Sequence, residues 1–337
     1  MSNSSSGAVT LHDVAHAARV SVMTASRALN DSGRIAQETR SRVREIAAQL
    51  GYVPNTAARH LKGGRTGVVG LILHDFAPMF TEMAAGVSDA ASGAGLDVLL
   101  YTTRSNPGRE RERIAIMRGG LADGLIIPLP RSEGTYLRSL ESSAVPVVLI
   151  NHYGESEHLS VVRADNYRGA RAATEHLVGL GHRRIAMITG DSPSGQGAER
   201  ERAYRDVLRG AGLPEQVRRG DFTQARAFEA TRELLAEAQP PTAIFAANDA
   251  SAFGAYDAIK DAGLRVPDDL SVVGFDDVPQ AAQAHPALTI VRHPFHDLGE
   301  AAARLLLDLL NGQAEAGTVR ELPSTLIPRA SAAPPRD

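Results

Sequence analysis

The chain has 337 residues, 43% apolar and 22% charged, with no cysteine. That is material for two or three globular domains, and it excludes disulfides, thiolate metal sites and cysteine nucleophiles. The net charge of −3 conceals a split: nine basic against four acidic residues over 1–65, and 27 against 35 over the rest. A basic head on an acidic body suits nucleic-acid binding confined to the head.

The chain opens on the polar segment MSNSSSGAVT, of which residues 1–9 are expected to be a disordered tail. The segment has no apolar signal region, and no later run approaches a membrane span. The expectation is a soluble cytoplasmic protein with no membrane partner. Residues 10–30, TLHDVAHAARVSVMTASRALN, read as two short helices joined by a tight turn. Thr10 caps the first, with Asp13 three residues on completing a capping box. Leu11, Val14, Ala15 and Ala18 share one face. Ser21 caps the second helix, whose Ala25, Ala28 and Leu29 point inward. Val22, Met23, Ser26 and Arg27 are left on the outer face near its N-terminus, the part that a helix-turn-helix presents to the major groove. The pattern alone also permits an ordinary amphipathic helix pair in a core. A third helix is expected from about Ala36 to Gly51, with Val43, Ile46, Ala47 and Leu50 inward and Arg40, Arg42, Arg44 and Glu45 largely outward. Gly51 fits the C′ stop and Pro54 the breaker after it. Asn55 to Leu61, NTAARHL, offers one or two helical turns that need a partner to stay folded. Lys62-Gly63-Gly64-Arg65 reads as a flexible joint.

From Gly67 onward, apolar strands alternate with helical stretches. The strand candidates are VVGLIL (68–73), LDVLLYT (96–102), GLIIPL (124–129), VPVVLIN (145–151), RIAMITG (184–190), TAIFAAN (242–248) and LSVVGFD (270–276). Turns at Gly93 to Leu96, Leu180 to His182, Ala211 to Leu213 and Ala262 to Leu264 punctuate the helices between them. Continuous apolar strands separated by helices imply parallel sheets covered on both faces, and about ten strands fit two α/β lobes better than one sheet. Ligands of such lobes bind outside the carboxyl ends of the strands. Asp75, Asn151, Asn248 and Asp276 sit at those ends. Each alone reads as a turn former; four at equivalent strand ends point to a shared cleft. Gly64, Gly67 and Gly70 precede a strand, where a phosphate cradle needs its glycines between strand and helix. With no G-x-S-x-G elbow either, no catalysis and no cofactor are expected.

The head segments DVAHAARVSVMTASRALN and ETRSRVREIAAQLGYVPNTAARHL carry a resemblance to a known family. The body segments ADNYRGARAATEHLVGLGHRRIAMITG, FAANDASAFGAYDAI and VPDDLSVVGFDD agree with it. Together they resemble the lactose-repressor/galactose-repressor (LacI/GalR) family of transcriptional regulators from Thr10 to about Arg329. The resemblance implies a helix-turn-helix head over residues 10–54, then a hinge helix and linker over 55–65. It further implies a two-lobed α/β body over 66–330, similar to periplasmic sugar-binding proteins, and a tail over 331–337. The chain is expected to cross between lobes near residues 163, 292 and 323. Lobe 1 then takes about 66–163 and 293–322, and lobe 2 about 164–292 and 323–330.

By the same resemblance, Val22 and Met23 set operator sequence and Arg27 contacts a base. Arg27 bidentate to guanine O6 and N7 is worth about 1–3 kcal/mol of discrimination. Val22 and Met23 favour apolar contact, and Thr10, Ser21, Thr24, Ser26 and Asn30 fit phosphate positioning. Leu61 matches the leucine wedged into the minor groove from paired hinge helices, with Arg59 and Lys62 beside the DNA backbone and Asn55 also a DNA-binding position. The implied effector site comprises Asp75, Met79, Phe80, Asn151, Arg200, Phe222, Asn248 and Asp276, a set suited to a polyhydroxylated ligand. Arg200 pairing with Asp276 as a purely structural ion pair is an equal alternative. His182 and His152 form a possible but disfavoured metal pair, so no metal is expected. The implied function is a homodimeric regulator, chiefly a repressor of carbohydrate uptake or catabolic genes. It binds a palindromic double-stranded operator and is controlled by a sugar or sugar derivative. A purine or nucleoside corepressor, or a non-regulatory sugar-binding protein, are the alternatives. Ala36 stands where the family caps its third helix with Ser, which weakens that start by about 0.5–2 kcal/mol. Met79 departs from the commoner aromatic, and the C-terminal ASAAPPRD has no leucine heptads on which to build a tetramer.

Overall fold

The structure, a computed structural model, describes residues 9–30, 33–52, 65–130, 134–154, 156–190 and 195–336. The chain divides into two units, residues 1–66 and 67–337.

Capping chemistry sets the first two helices. The Thr10 hydroxyl accepts from the Asp13 backbone N–H at 3.3 Å and Asp13 Oδ2 accepts from the Thr10 backbone N–H at 2.8 Å, a capping box that opens α1 (Leu11–Ala17). Ser21 Oγ accepts from the Thr24 N–H at 3.1 Å and opens α2 (Val22–Leu29). The third helix, α3 (Gln37–Gln49), starts at Ala36 with no side-chain cap and stops where Gly51 turns left-handed at φ +66°. Val14, Ala15, Ala18, Ala25, Ala28, Val43 and Ala47 make the buried core of this head. Two expectations are corrected here. Leu50, read as inward, is 39% exposed, because it is the C-cap just past the last helical residue. Val22, read as outward, is half-buried against the head core, because a first-turn side chain leans back over the turn before it. The hinge residues Asn55, Arg59, Leu61 and Lys62 lie outside the described residues.

The second unit holds two six-stranded sheets. The first contains β1 (Val68–Leu73), β2 (Asp97–Thr102), β3 (Gly124–Pro128), β4 (Val147–Ile150), β5 (Ser160–Ala164) and β11 (Val319–Leu322), in the order β11-β5-β4-β3-β1-β2 and all parallel. The second contains β6 (Ile185–Thr189), β7 (Gln216–Arg219), β8 (Ala243–Ala246), β9 (Ser271–Asp276), β10 (Thr289–Arg292) and β12 (Thr325–Ile327). Its order is β12-β10-β9-β8-β6-β7, with only β12 antiparallel. Strand alternation sorts the apolar side chains. Val69, Leu71, Leu73, Ile126, Val148, Ile150 and Val162 face α4 (Pro78–Gly93) and α12 (Phe295–Leu310), while Ile72, Leu125, Ile127, Leu149 and Val161 fill the opposite core. Each such side chain fully buried contributes about 1.5–3 kcal/mol. In the second lobe, Ile188, Ile244, Val272 and Ile290 pack on α9 (Gln224–Leu235) and α10 (Asp249–Asp261). Met187, Phe245, Val273 and Phe275 pack on α7 (Asn166–Gly179) and α8 (Gln196–Gly210).

The chain passes between sheets three times: after Ala164, after Arg292, and between Leu322 and Thr325. Residues 331–336, read in the sequence as a tail, are docked on the second lobe. Ser331 is fully buried; its hydroxyl donates to the Val272 carbonyl at 2.6 Å and accepts from the Thr289 N–H at 2.7 Å. Ala333 exchanges hydrogen bonds with the Ser271 hydroxyl, and Arg336 pairs with Asp268 at 2.6 Å. Polar satisfaction at the N-terminal ends of β9 and β10 holds this segment.

Candidate nucleic-acid interface and ligand cleft

On the head, Met23 is 63% exposed at the start of α2 and Arg27 lies exposed one turn on. The Arg27 stem runs over Gly33, where a Cβ would stand 3.2 Å from Arg27 Cδ, so the glycine leaves room for that path. The capping groups are partly engaged. The Thr10 hydroxyl donates to Asp13 Oδ2 at 2.7 Å, and these bonds hold the Asp13 carboxyl below its usual range. Ser21 Oγ and Thr24 Oγ1 stand 2.8 Å apart, and Asn30 Nδ2 donates to Ser26 Oγ at 3.4 Å. An apolar tip at the start of α2, one long cation a turn later and short polar groups at the helix ends thus lie along one short helix and the start of its neighbour.

In the body, Arg200 is the centre of a buried polar cluster. It projects from α8, is 2% exposed, and stacks over the Phe275 ring at 3.7 Å. Its Nε donates to Asn166 Oδ1 at 2.7 Å, one Nη to the Ala247 carbonyl, and the other to Asp276 Oδ1 at 3.3 Å. Asp276 ends β9 with φ +105° and Asp277 follows at φ +73°, two successive left-handed residues that aim their carboxylates in different directions. Asp277 is clamped by Arg292 at 2.8 Å and Arg329 at 2.7 Å. Asp249 opens α10 beside them. Its Oδ2 accepts from the Val278 N–H at 3.0 Å, while Oδ1 is buried without a partner among the described residues. Burial, reinforced by the neighbouring Asp276 carboxylate, pushes the Asp249 carboxyl up to about 8. Burial also raises Asp276, a shift that the Arg200 guanidinium opposes.

Lobe 1 supplies Asn151, fully buried at φ +56° after β4. Its Oδ1 accepts from the Ala164 N–H at 3.0 Å and its Nδ2 faces His293 Nε2 at 3.4 Å. With the amide donating, His293 carries its proton on Nδ1, an atom buried without a partner. Burial and the nearby Arg200 charge hold this imidazole well below its usual pKa, hence neutral. The ring stacks on Phe295 at 4.4 Å. Met79, Asp276, His293 and Phe295 border a cavity of about 120 Å³ between the lobes, small beside ligand pockets of about 300–1,000 Å³.

Of the expected ligand residues, Asn151, Arg200, Asp276 and Met79 therefore gather around this cleft. Asn248 caps α10 through Oδ1, which accepts from the Ser251 N–H at 2.9 Å, and its Nδ2 donates to the Phe222 carbonyl at 3.2 Å. Phe222 itself lies half-buried across Gly190 and Gly197, where added Cβ atoms would stand 2.3 and 3.2 Å from its ring. Asp75 is exposed and its Oδ1 accepts from the Ala77 N–H at 2.8 Å. Phe80 is 3% exposed, within the lobe 1 core and tilted against His74. Its spacing on α4 places it with Met83 and Val87 on the sheet-facing side. His182 and His152 are in different lobes, and His182 is used by Thr242 and Ala333 at 2.9 Å each. Sequence reading missed Asp249, Asn166, Phe275 and His293. Only Asp249 left a signal, its position directly after Asn248 at a helix start.

A head that exposes the N-terminal half of its second helix, in one chain with two parallel-sheet lobes around a buried polar cleft, defines a ligand-responsive DNA-binding regulator. Residues 10–55 match the pattern of bacterial regulatory proteins of the lacI family, and residues 174–332 that of a periplasmic binding protein-like domain. The chain is 33% identical over 321 residues to catabolite control protein A of Priestia megaterium, covering 94% of this chain and 96% of that one. The lac repressor dimer bound to operator and the anti-inducer ONPF superposes with a TM-score of 0.89 at 30% identity, over 97% of this chain and 100% of that one. The transcriptional regulator CelR in complex with cellobiose superposes with a TM-score of 0.74 at 33% identity, over 96% and 99%. The chain belongs to the lacI family of bacterial transcriptional regulators.

Proposed function

We propose that this regulator represses carbohydrate uptake or catabolic genes, binding a palindromic operator as a homodimer and releasing or tightening it through a sugar-like effector. The observation that carries the effector class is the buried cluster of Arg200, Asp276 and Asp249 with Asn151 and Asn248 near it. Fixed charged and amide groups beside the Phe222 ring suit a ligand with many hydroxyls and an apolar ring face. The cellobiose bound to CelR and the operator bound to the lac repressor dimer support the reading.

On DNA, Met23 and the exposed part of Val22 make apolar base contacts, Arg27 reads guanine, and Ser21, Thr24, Ser26, Asn30 and Thr10 position phosphates. Leu61, in the hinge over 55–65, is assigned to the minor groove, with Arg59 and Lys62 beside the DNA backbone and Asn55 also at the DNA. In the body, Asp276 and Asn248 are the direct ligand contacts, with Asp75 at the rim. Arg200 orients Asp276 and opposes the burial that raises its pKa. The lobes open to admit ligand and close on it, and the effector shifts DNA affinity by its differential affinity for the two states. Such a chain performs no catalysis and works where the DNA is, in the cytoplasm.

A thermal-shift panel of monosaccharides, disaccharides, sugar phosphates and nucleobases tests the effector class. A ligand at 100 times its Kd stabilises by about 2.7 kcal/mol. A shift from a sugar that Asp276→Asn abolishes is the expected result. A shift from nucleobases alone would transfer the site to a purine-type corepressor.

A further inference from the structure

We infer that the first turn of α12 and the facing turn of α4 form a site for a divalent transition-metal ion, held by His296, Asp297 and Glu300 and oriented by Asp89. Its side chains are partly exposed, Asp89 and Asp297 by more than 60%. A nitrogen of His296 and a carboxylate oxygen from each of Asp297 and Glu300 all lie within 4.8 Å of one another. His296 and Glu300 are four residues apart, which stacks them on one helix face.

First-turn carboxylates alone have an ordinary explanation, since they favour a helix N-terminus. The second helix supplies what that explanation omits. Asp89 Oδ2 stands 3.0 Å from His296 Nε2. A carboxylate there accepts a hydrogen bond from Nε2–H and turns Nδ1 toward Asp297, whose Oδ1 is 3.7 Å away. The two carboxylates favour the protonated ring, so a metal ion has to take the place of the Nδ1 proton. A carboxylate on the far nitrogen of a ligating imidazole is also how proteins orient metal-bound histidines.

The placement is rigid. A Cβ at Gly86 would stand 2.0 Å from the His296 carbonyl oxygen, and one at Gly299 equally close to the Met83 carbonyl oxygen, so the two helices touch backbone to backbone. Asp89 is three residues beyond Gly86 and shares its face. One imidazole and two carboxylates, partly exposed and with room for water, suit Zn²⁺, Co²⁺, Ni²⁺ or Mn²⁺ better than ions that prefer all-oxygen shells. Glu300 also pairs with Arg304 at 2.5 Å, a contact that metal binding has to loosen.

The test is Co²⁺ titration of the tag-free, chelator-treated full chain, followed by visible absorbance and calorimetry and repeated with Zn²⁺. One site per chain is expected, lost in His296→Ala and weakened at least tenfold in Asp297→Asn and in Glu300→Gln. Asp89→Asn should weaken it by about 10–100-fold, the usual effect of losing a carboxylate behind a ligating histidine. The exposed His158, replaced by alanine, should leave it unchanged. Wild-type affinity in His296→Ala, or in both carboxamide variants with unaltered urea midpoints, overturns the assignment. So does the absence of saturable binding by the wild type.

Discussion

Replacing Arg200 with methionine tests how the cleft is held together. The change removes a guanidinium that is 2% exposed and donates to Asn166, Ala247 and Asp276. The stack on Phe275 is retained in part by the apolar methionine, so the loss is chiefly electrostatic. Breaking a buried ion pair by deleting one partner costs about 3–5 kcal/mol, because the other charge is left uncompensated. Here the stranded charge is Asp276, with Asp249 beside it. The cost should therefore depend on pH. Without the cation, the folded-state pKa of Asp276, already raised by burial, rises further above its unfolded value. The penalty is present above that raised pKa and is relieved as the pH falls through it. Urea unfolding at pH 8 and pH 5 reads both effects, provided the m-value is unchanged. The deficit should be largest at pH 8, and Arg200→Met combined with Asp276→Asn should lose less than the sum of the two single changes. A deficit below about 1 kcal/mol at pH 8, the value of a surface pair, would refute the claim that this arginine organises the cleft.

Asp249 binds more protons folded than unfolded between its ordinary range and about 8, so this group makes stability fall as pH rises through that window. Buried His293 acts oppositely, its stability contribution being lost as pH falls below the ordinary histidine range. Subtracting the Asp249→Asn profile from wild type isolates the first effect, with a slope of at most about 1.4 kcal/mol per pH unit; parallel profiles would contradict it. Ser331→Ala strands the buried Thr289 N–H and should cost about 1–3 kcal/mol in urea unfolding, and an unchanged midpoint would show that the C-terminal segment is not docked. Ala36→Ser should supply the missing cap of α3 and slow hydrogen exchange of the Glu38 and Thr39 amides by about 0.5–2 kcal/mol; unaltered exchange would mean that the start of α3 is held by other contacts.

Much of this architecture is legible in the sequence because its causes are local. Thr10 with Asp13, and Ser21 with Thr24, specify their helix starts within four residues. Six of the seven strands read from continuous apolar runs are central and well buried; the seventh, β2, is a partly buried edge strand whose apolar run still announces it. The five strands not read are β5, β7, β10, β11 and β12. Three of these, QVRR in β7, VREL in β11 and TLI in β12, are short edge strands whose pairing comes from distant segments. The cleft divides the same way. Asp276 and Asn151 announce themselves at strand ends, whereas His293 and Asn166 acquire meaning only from Asn151 and Arg200, far away in the chain. Phe80 shows the converse: a residue type suited to a sugar face is claimed by the core because its helical spacing points it at the sheet.

The account rests on a cleft ligand governing the head's grip on DNA. The direct measurement is fluorescence anisotropy of the full-length protein on its own promoter region, with and without the sugar that gives the largest thermal shift. Wild type should bind that DNA more tightly than a scrambled duplex, and the sugar should change the affinity at least fivefold. Asp276→Asn should keep the DNA binding and lose the response. An affinity that the bound sugar leaves unaltered, or a response that survives in Asp276→Asn, would contradict the account.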